Sequence, residues 1–175
     1  MIKRSTLARM VRDIGFSCTR CGVCCKGTDN LVMVSPQEVC RLAEETGLES
    51  GDIATPYPEF VETRGGGSIT FEWAVRKHGE ACRFYSGGLC TAYAARPWIC
   101  RTFPFMLDNE HLIVSHCPGI GGKISRKEAW DLAGLLLERR RAELTEEERV
   151  RQVLSVCRIP PGCQVLVDGT GLKVL

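Results

Sequence analysis

Apolar residues recur at helical spacing near the start of the chain. Leu7, Val11 and Ile14 lie three or four residues apart, so they would share one face of a helix. This pattern predicts a short helix over residues 2–13 that leads into a cysteine-rich stretch.

Three Ser/Thr-x-x-Glu patterns mark further helix starts. In such a capping box, the two side chains satisfy backbone N–H groups that the first helical turn leaves free. The box at Ser35 predicts a helix that ends at Gly47, because glycine readily adopts the left-handed conformation of a helix end. The boxes at Ser125 and Thr145 predict two separate helices of about 16 and about 12 residues.

Strand patterns are short and lie between turn residues. Residues 68–75 alternate well enough for one strand, and residues 112–114 form another. Residues 164–175 are typical of a terminal hairpin. Helices and strands in this arrangement predict an α+β fold.

The length of 175 residues suits a single domain, residues 1–175. Residues 15–34 and 79–122 are rich in turn residues, so burial of apolar side chains is not expected to order them unaided. We therefore predict a small, irregular core over residues 15–123 that a bound metal stabilises. Residues 124–175 would form a peripheral extension of helices and a hairpin.

Charge and hydropathy exclude several classes of protein. The chain has 23 Lys and Arg against 21 Asp and Glu, and its basic run, residues 139–141, falls in a predicted helix. This balance does not suggest a nucleic-acid partner. No apolar stretch approaches the roughly 18 residues of a membrane span, and no apolar segment follows the charged N-terminus as in a signal peptide. We expect a cytoplasmic protein with neither a nucleic-acid nor a membrane partner.

Cysteine carries the candidate chemistry, with 11 residues in all. The first four form two overlapping C-x2-C steps that end in a vicinal pair, and such a step turns both sulfurs toward one point. Four more follow at wide spacing. The eight predicted metal ligands are Cys18, Cys21, Cys24, Cys25, Cys82, Cys90, Cys100 and Cys117. A disulfide scaffold is the alternative, which an odd cysteine count without an export signal disfavours.

Four arginines stand near these cysteines and are predicted to offset thiolate charge at a bound metal centre. They are Arg20, Arg83, Arg96 and Arg101. Solvated surface charge is the alternative for each of them. Among the histidines, His116 beside Cys117 is the plausible ligand, although a histidine at a strand end is the simpler interpretation.

The remaining cysteines and the aromatic residues are interpreted as structural. Cys40 adjoins Val39 and Leu42 and is expected in the core, and Cys157 and Cys163 are not expected to bind metal. Aromatic side chains interleave with the later cysteines and are expected to keep water from the centre rather than to stack on a substrate. They are Tyr93, Trp98, Phe103 and Phe105.

The motifs occur in an order that resembles a known family. They are Phe16-x-Cys18-x2-Cys21-Gly22-x-Cys24-Cys25, Cys82-x-Phe84, Cys90-x2-Tyr93-x2-Arg96-Pro97-x2-Cys100-Arg101-x-Phe103-Pro104-Phe105 and Cys117-Pro118-Gly119. Together they resemble the YkgJ-type cysteine-cluster proteins, the C-x2-C-x2-C-C family of zinc- or iron-chelating domains. The resemblance spans about residues 16–122 and implies eight cysteines at one centre or at two. A flagellin lysine methylase with a similar cysteine cluster is thought to carry an iron–sulfur cluster, which favours iron.

We therefore predict a metal-binding protein with an iron–sulfur cluster, [4Fe–4S] in type, and a redox role. The spacings of 8, 10 and 17 residues between the later cysteines suit a bulky cluster gathered by loops. Adjacent side chains are expected to diverge, so the vicinal pair would fit poorly at one zinc ion. The alternatives are a structural zinc site, a scaffold held by metal, or a metal-dependent enzyme such as a protein methylase. The enzyme is disfavoured because no nucleotide-binding or acid–base motif is apparent.

Overall fold

A computed structural model describes residues 2–27 and 30–175 of the chain. Residues 1, 28 and 29 of the predicted domain therefore lie outside the described residues. The helices are α1 (Arg4–Ile14), α2 (Pro36–Thr46), α3 (Ser50–Ile53), α4 (Trp98–Thr102) and α5 (Arg126–Val156), with a 3-10 turn over Val23–Cys25. The strands are β1 (Met33–Val34), β2 (Ala54–Pro56), β3 (Val61–Glu62), β4 (Ser68–Thr70), β5 (Trp73–Val75), β6 (Lys77–His78), β7 (Ala81–Cys82), β8 (Tyr85–Ser86), β9 (Leu89–Cys90), β10 (Phe105–Asp108), β11 (His111–Val114), β12 (Gln164–Asp168) and β13 (Gly171–Val174). The predicted α+β class is confirmed.

The strands form two small sheets and three isolated hairpins. One sheet has the antiparallel order β1-β5-β2, and the other has the order β13-β12-β4-β3, in which β12 and β4 are parallel. The remaining pairs, β6–β7, β8–β9 and β10–β11, are antiparallel. The predicted terminal hairpin is β12–β13, and the predicted strand at residues 112–114 lies within β11.

The described residues form three hydrophobic clusters, of which the smallest packs Val165 and Val167 against Val150 and Val153 of α5. The two larger ones are described here as the first and the second. In the first, α1 packs on α5 and on strand β10, with Leu7, Leu136 and Phe105 at its centre. In the second, α2 and α3 cover the sheet β1-β5-β2, and residues that follow β7 and β9 complete it. The cysteines after residue 80 lie at the edge of this second cluster.

Most helix ends lie where the sequence predicts them. Both Ser35 and Ser125 form complete capping boxes, and Gly47 ends α2 in the left-handed conformation. The predicted break before Thr145 is wrong, because α5 runs unbroken for 31 residues. The Thr145 hydroxyl donates instead to the carbonyl of Arg141, 2.9 Å away. A Ser/Thr-x-x-Glu pattern starts a helix only where the preceding chain leaves the helical conformation, and no Gly or Pro interrupts this segment.

Two other expectations are corrected. Residues 68–75 are not one strand, because the chain leaves the β4 sheet at Phe71 and enters the β1-β5-β2 sheet at Trp73. Cys40 is exposed rather than buried in the core. Since α2 turns Val39 and Leu42 inward, the neighbouring Cys40 lies about 100° around the helix from Val39.

The longest helix, α5, is rich in charged residues. Its first half packs in the first cluster, and Val150 and Val153 in its second half pack in the smallest cluster. In the described part of the chain, no helix combines the length and the apolar character that crossing a membrane requires.

A buried carboxylate joins the two sheets. Asp168 at the end of β12 is 2% exposed and accepts hydrogen bonds from the Trp73 indole at 2.8 Å and from Lys173 at 2.7 Å. Burial raises the pKa of Asp168, but the hydrogen bonds from Lys173, Thr170 and Trp73 outweigh that effect and hold it below its usual value. The ionised form is therefore the one that the folded protein stabilises.

Replacing Asp168 with Asn should lower the free energy of unfolding by about 1–3 kcal/mol at pH 7, because the Lys173 ammonium loses its partner. A carboxylate with a lowered folded-state pKa stabilises the fold above the unfolded pKa of about 3.9, and loses that effect as the pH falls through the folded value. Urea unfolding should thus show a gap between the Asp168→Asn variant and the wild type at pH 7 that narrows below about pH 4.

The matched control is Asp131→Asn, which removes an exposed carboxylate paired with Lys127 at 2.7 Å. It should cost less than about 0.5 kcal/mol. Equal losses in the two variants, or a gap for Asp168→Asn that widens in acid, would contradict this account.

Candidate metal centre

A tight turn presents the vicinal pair. Gly22 adopts a left-handed conformation with φ of 73°, and the backbone N–H of Cys25 donates to its carbonyl at 2.9 Å. The Tyr85 ring lies against Gly22 where a Cβ would otherwise be, so no larger residue fits there without displacing it. Glycine at this position therefore lets Tyr85 anchor the turn that carries Cys24 and Cys25.

The sulfurs of the vicinal pair face each other. The Sγ atoms of Cys24 and Cys25 lie 3.8 Å apart, far beyond a disulfide bond, and all eleven cysteines of the chain are free. The expectation that adjacent side chains diverge is wrong, because the 3-10 turn brings the two thiols to the same side. The hydrogen bond between the thiols lowers the pKa of Cys25 and raises that of Cys24, so one proton leaves the pair readily and the other is held.

Three further thiols share this environment. We define the five-thiol cluster as Cys24, Cys25, Cys82, Cys90 and Cys100. Negative charge on Cys82, Cys90 and Cys100 raises the pKa of Cys25, which means that these sulfurs are close enough to repel one another. The same coupling acts among the three later thiols and Cys24.

The backbone explains how distant residues meet. An antiparallel bridge pairs Lys26 with Ala81, so the residue after Cys25 lies beside the residue before Cys82. Cys90 ends β9, opposite Tyr85 in β8, and Cys100 lies in α4. Each of these elements is only two to five residues long, and their side chains rest on the edge of the second hydrophobic cluster.

Without a cation nearby, burial disfavours the ionised form of Cys82 and Cys100. Loss of solvent raises the pKa of Cys100 to about 12, and negative charge on neighbouring cysteines adds to the effect. Burial likewise raises the pKa of Cys82. A thiophilic cation is the partner that would allow several of these thiols to ionise together.

The donor set suits a thiolate-binding metal, although the side chains have not converged on one point. Among residues 2–27 and 30–175, no three His, Cys, Asp or Glu side chains stand close enough to hold one metal ion as they are placed. The fit therefore rests on the chemistry of five mutually coupled sulfurs. Small side-chain movements at their short, turn-linked elements would close the set around a ligand.

A second backbone pairing carries two of the other three predicted ligands. Phe16 forms an antiparallel bridge with Ile120, and the Ser17 N–H donates to the Gly119 carbonyl at 3.0 Å. Cys18 follows Ser17, and Cys117 lies two residues before Gly119, so the same backbone pairing carries both cysteines.

Glycine makes this pairing possible. A Cβ on Gly119 or Gly122 would strike the backbone of Ser17. The Cys117 sulfur accepts a hydrogen bond from the Gly119 N–H at 3.4 Å, while Cys18 and Cys21 are exposed.

The predicted arginines have different surroundings. Arg96 stacks over Tyr93, 3.7 Å from the ring centre, and its charge lowers the pKa of Cys24 and Cys100. Arg101 stacks over Trp98 at 4.5 Å, and Arg83 donates to the Asp52 carbonyl. Arg20 adopts a left-handed conformation with φ of 55° in the exposed turn between Cys18 and Cys21.

One cation near the thiols was not evident in the sequence. Lys77 pairs with Cys82 across the β6–β7 ladder, and its charge lowers the pKa of that thiol. Only the register of the ladder reveals this neighbour, since the two residues lie five positions apart in the chain.

The aromatic residues do not form one lid. Tyr93 is 63% exposed, whereas Phe105 is buried in the first hydrophobic cluster against Phe16, at 5.9 Å between ring centres. Trp98 points away from the sulfurs and lines a separate groove. His116 is exposed in the segment that follows β11.

An α+β chain that gathers several free thiols in this way is a metal-binding domain by class. The family model CxxCxxCC, described as "Putative zinc- or iron-chelating domain", matches residues 17–119, more than half of the chain. The protein therefore belongs to the CxxCxxCC family of zinc- or iron-chelating domains, and the resemblance seen in its motifs is confirmed. No solved structure matches the chain.

Changing Cys100 to Ser should remove bound metal, because serine cannot replace a half-buried thiolate. The same loss is expected for Cys82→Ser and Cys90→Ser, as measured by metal content per chain after purification without oxygen. Cys40→Ser, Cys157→Ser and Cys163→Ser serve as matched controls and should keep the wild-type metal content. Loss of metal in the Cys157 variant together with full retention in the Cys100 variant would reverse the assignment.

Proposed function

We propose that the five-thiol cluster holds an iron–sulfur cluster of the [4Fe–4S] type and that the protein serves in electron transfer. The observation that carries this proposal is the mutual electrostatic effect of five thiols from separate, turn-rich segments, three of which pack on the second hydrophobic cluster. Any four of the five would supply the ligands that a [4Fe–4S] cluster needs.

The spacing of the ligands supports a large centre. The later thiols lie on three short elements whose order in the chain leaves gaps of 8 and 10 residues between successive cysteines. Iron–sulfur clusters accept ligands from such dispersed loops, whereas structural zinc sites usually draw theirs from compact pairs.

The surrounding residues would tune a redox centre. The charges of Arg96 and Lys77 favour ionised thiols and would stabilise a more reduced, more negative state. The apolar residues Ile99 and Ala92 pack beside Cys100 and Cys90 in the second hydrophobic cluster and would limit access of water. A bound cluster would supply one-electron chemistry, while these residues hold it and set its potential.

Structural zinc is the second candidate, and one distance favours it. Zinc–sulfur bonds of about 2.3 Å in a tetrahedron place neighbouring sulfurs about 3.8 Å apart. The Cys24 and Cys25 sulfurs already have a separation of 3.8 Å. Under this alternative the metal would order the short strands between residues 77 and 90 and carry no electron.

The number of centres is open to experiment. We propose that Cys18, Cys21 and Cys117 contribute to a second, more exposed site, because a second backbone pairing, at the Phe16–Ile120 bridge, carries two of them. Either site requires reduced thiols, which agrees with the cytoplasmic location expected from the sequence.

Anaerobic reconstitution with iron and sulfide should give a brown protein that absorbs at about 400 nm, and reduction should produce an electron paramagnetic resonance signal. Cys100→Ser should abolish both signals, whereas Cys18→Ser should leave the main cluster in place. A protein that stays colourless and takes up zinc alone would overturn the iron–sulfur proposal in favour of zinc. Complete loss of iron in both variants would indicate one centre rather than two.

A further inference from the structure

A groove of about 730 Å³ lies on the side of α4 that faces away from the thiols. Its walls come from the start of α2, from residues 71–73, from α4 and from the second half of α5. This volume falls within the range of small-molecule pockets in proteins, about 300–1,000 Å³. The groove combines walls that lie inside the family match, residues 17–119, with a wall from α5, which lies beyond it.

The groove has an apolar middle. The indoles of Trp73 and Trp98 line it together with Val34, Ile99 and Val150. The Trp73 indole N–H is already bonded to Asp168, so what these two tryptophans offer is chiefly aromatic surface. Such a wall favours an apolar ligand body.

Two polar atoms in these walls have no hydrogen-bond partner. Among the described residues, the buried side-chain nitrogen and oxygen atoms that make no hydrogen bond are Nε of Arg41 and Oε2 of Glu146. Both residues line this groove. One atom is a donor and the other an acceptor, and leaving such atoms unsatisfied is costly.

The end of the groove near Arg41 is cationic. Arg41 approaches Arg96, whose carbonyl accepts a hydrogen bond from it at 3.3 Å, and its charge also lowers the pKa of Arg101. The nearby carboxylate of Glu38 is engaged in its capping box and with the Trp98 N–H. An added anion could therefore accept a hydrogen bond from the unpaired Nε of Arg41 at this end.

The end near Glu146 is acidic. Its Oε1 atom accepts from the Gly169 N–H at 2.6 Å, while Oε2 lies at the 4.0 Å limit of an ion pair with Arg149. Loss of solvent raises the pKa of Glu72, and the negative charge of Glu143 adds to the effect. Arg149 and Arg151 also line this end, at 4.0 Å from Oε2 of Glu146 and 3.7 Å from Glu147. The acceptor that still lacks a hydrogen bond there is Oε2 of Glu146.

Residues along α5 give a length scale for the groove. Glu138 acts on Arg101 at the cationic end, and Arg139 donates to Thr102 of α4 at 3.0 Å. Glu146 lies seven residues after Arg139, which corresponds to about 10 Å along the helix axis. We take this rise along α5 as the length scale of the groove and choose a test ligand of similar charge separation.

We propose that this groove binds an elongated small zwitterion, with its anionic group at Arg41, its ammonium group at Glu146 and its apolar body between Trp73 and Trp98. The chemistry requires opposite charges at the two ends of one molecule. An α-amino acid is too short, because both of its charged groups are attached to a single carbon.

Calorimetric titration of the metal-loaded chain, residues 1–175, tests this with 8-aminooctanoate, whose extended chain separates its charges by about 10 Å. Octanoate and octylamine, each with one charge, and the short 4-aminobutyrate should bind at least about tenfold more weakly. Tryptophan fluorescence in a Trp130→Phe background locates the site, because Trp73 and Trp98 are then the tryptophans that remain.

Variants separate the two ends. Arg41→Met should weaken binding of 8-aminooctanoate about tenfold and leave the affinity for octylamine unchanged. Glu146→Gln should also weaken binding of 8-aminooctanoate about tenfold, but it should leave the affinity for octanoate unchanged. Arg9→Met and Glu45→Gln, at exposed positions on α1 and α2, are the controls and should bind like the wild type.

Three results would overturn the proposal. The first is that octanoate or octylamine binds as tightly as 8-aminooctanoate. The second is that neither Arg41→Met nor Glu146→Gln alters the affinity for 8-aminooctanoate. The third is that millimolar 8-aminooctanoate produces no heat and no fluorescence change. The comparison among ligands needs no variant, so it decides the matter even if one substitution impairs folding.

Discussion

Mutual repulsion among half-buried thiols is the constraint on which this structure depends. Five thiols act on one another's ionisation, and three of them, Cys82, Cys90 and Cys100, pack on a hydrophobic cluster, where solvent cannot stabilise several negative charges at once. Arg96 and Lys77 reduce the repulsion, but they do not bond to the sulfurs as a metal does. The neighbouring strands are two residues long, so they contribute few hydrogen bonds of their own. A bound metal would remove the repulsion and join these strands in one step.

The first hydrophobic cluster does not depend on a bound metal for its order. Helix α1, hairpin β10–β11 and helix α5 share a cluster of fully buried apolar side chains. Helix α4 connects the two regions, since Cys100 faces the thiols while Trp98 and Ile99 line the groove on its other side. A metal centre and a ligand groove would thus share one short helix. Order at the thiols would then fix the position of one wall of the groove.

Local chemistry explains which features the sequence could predict. The capping boxes at Ser35 and Ser125 and the glycine at the end of α2 act within a few residues, and the structure retains them. The pattern at Thr145 failed because the same residue types also occur inside a continuous helix. Ligand spacing named eight thiols, yet which of them meet depends on pairings such as Lys26 with Ala81, whose partners lie far apart in the chain. The groove combines residues from four distant segments, so no local sequence pattern could predict it.

Amide hydrogen exchange of residues 1–175 with and without metal tests the central claim most directly. The account predicts that removal of metal exposes the amides of residues 22–27 and 79–102, where short elements surround the sulfurs. Helices α1 and α5 should keep their protection, because their apolar packing is independent of the thiols. Equal protection of residues 79–102 in the two states would contradict the claim that metal binding orders this region.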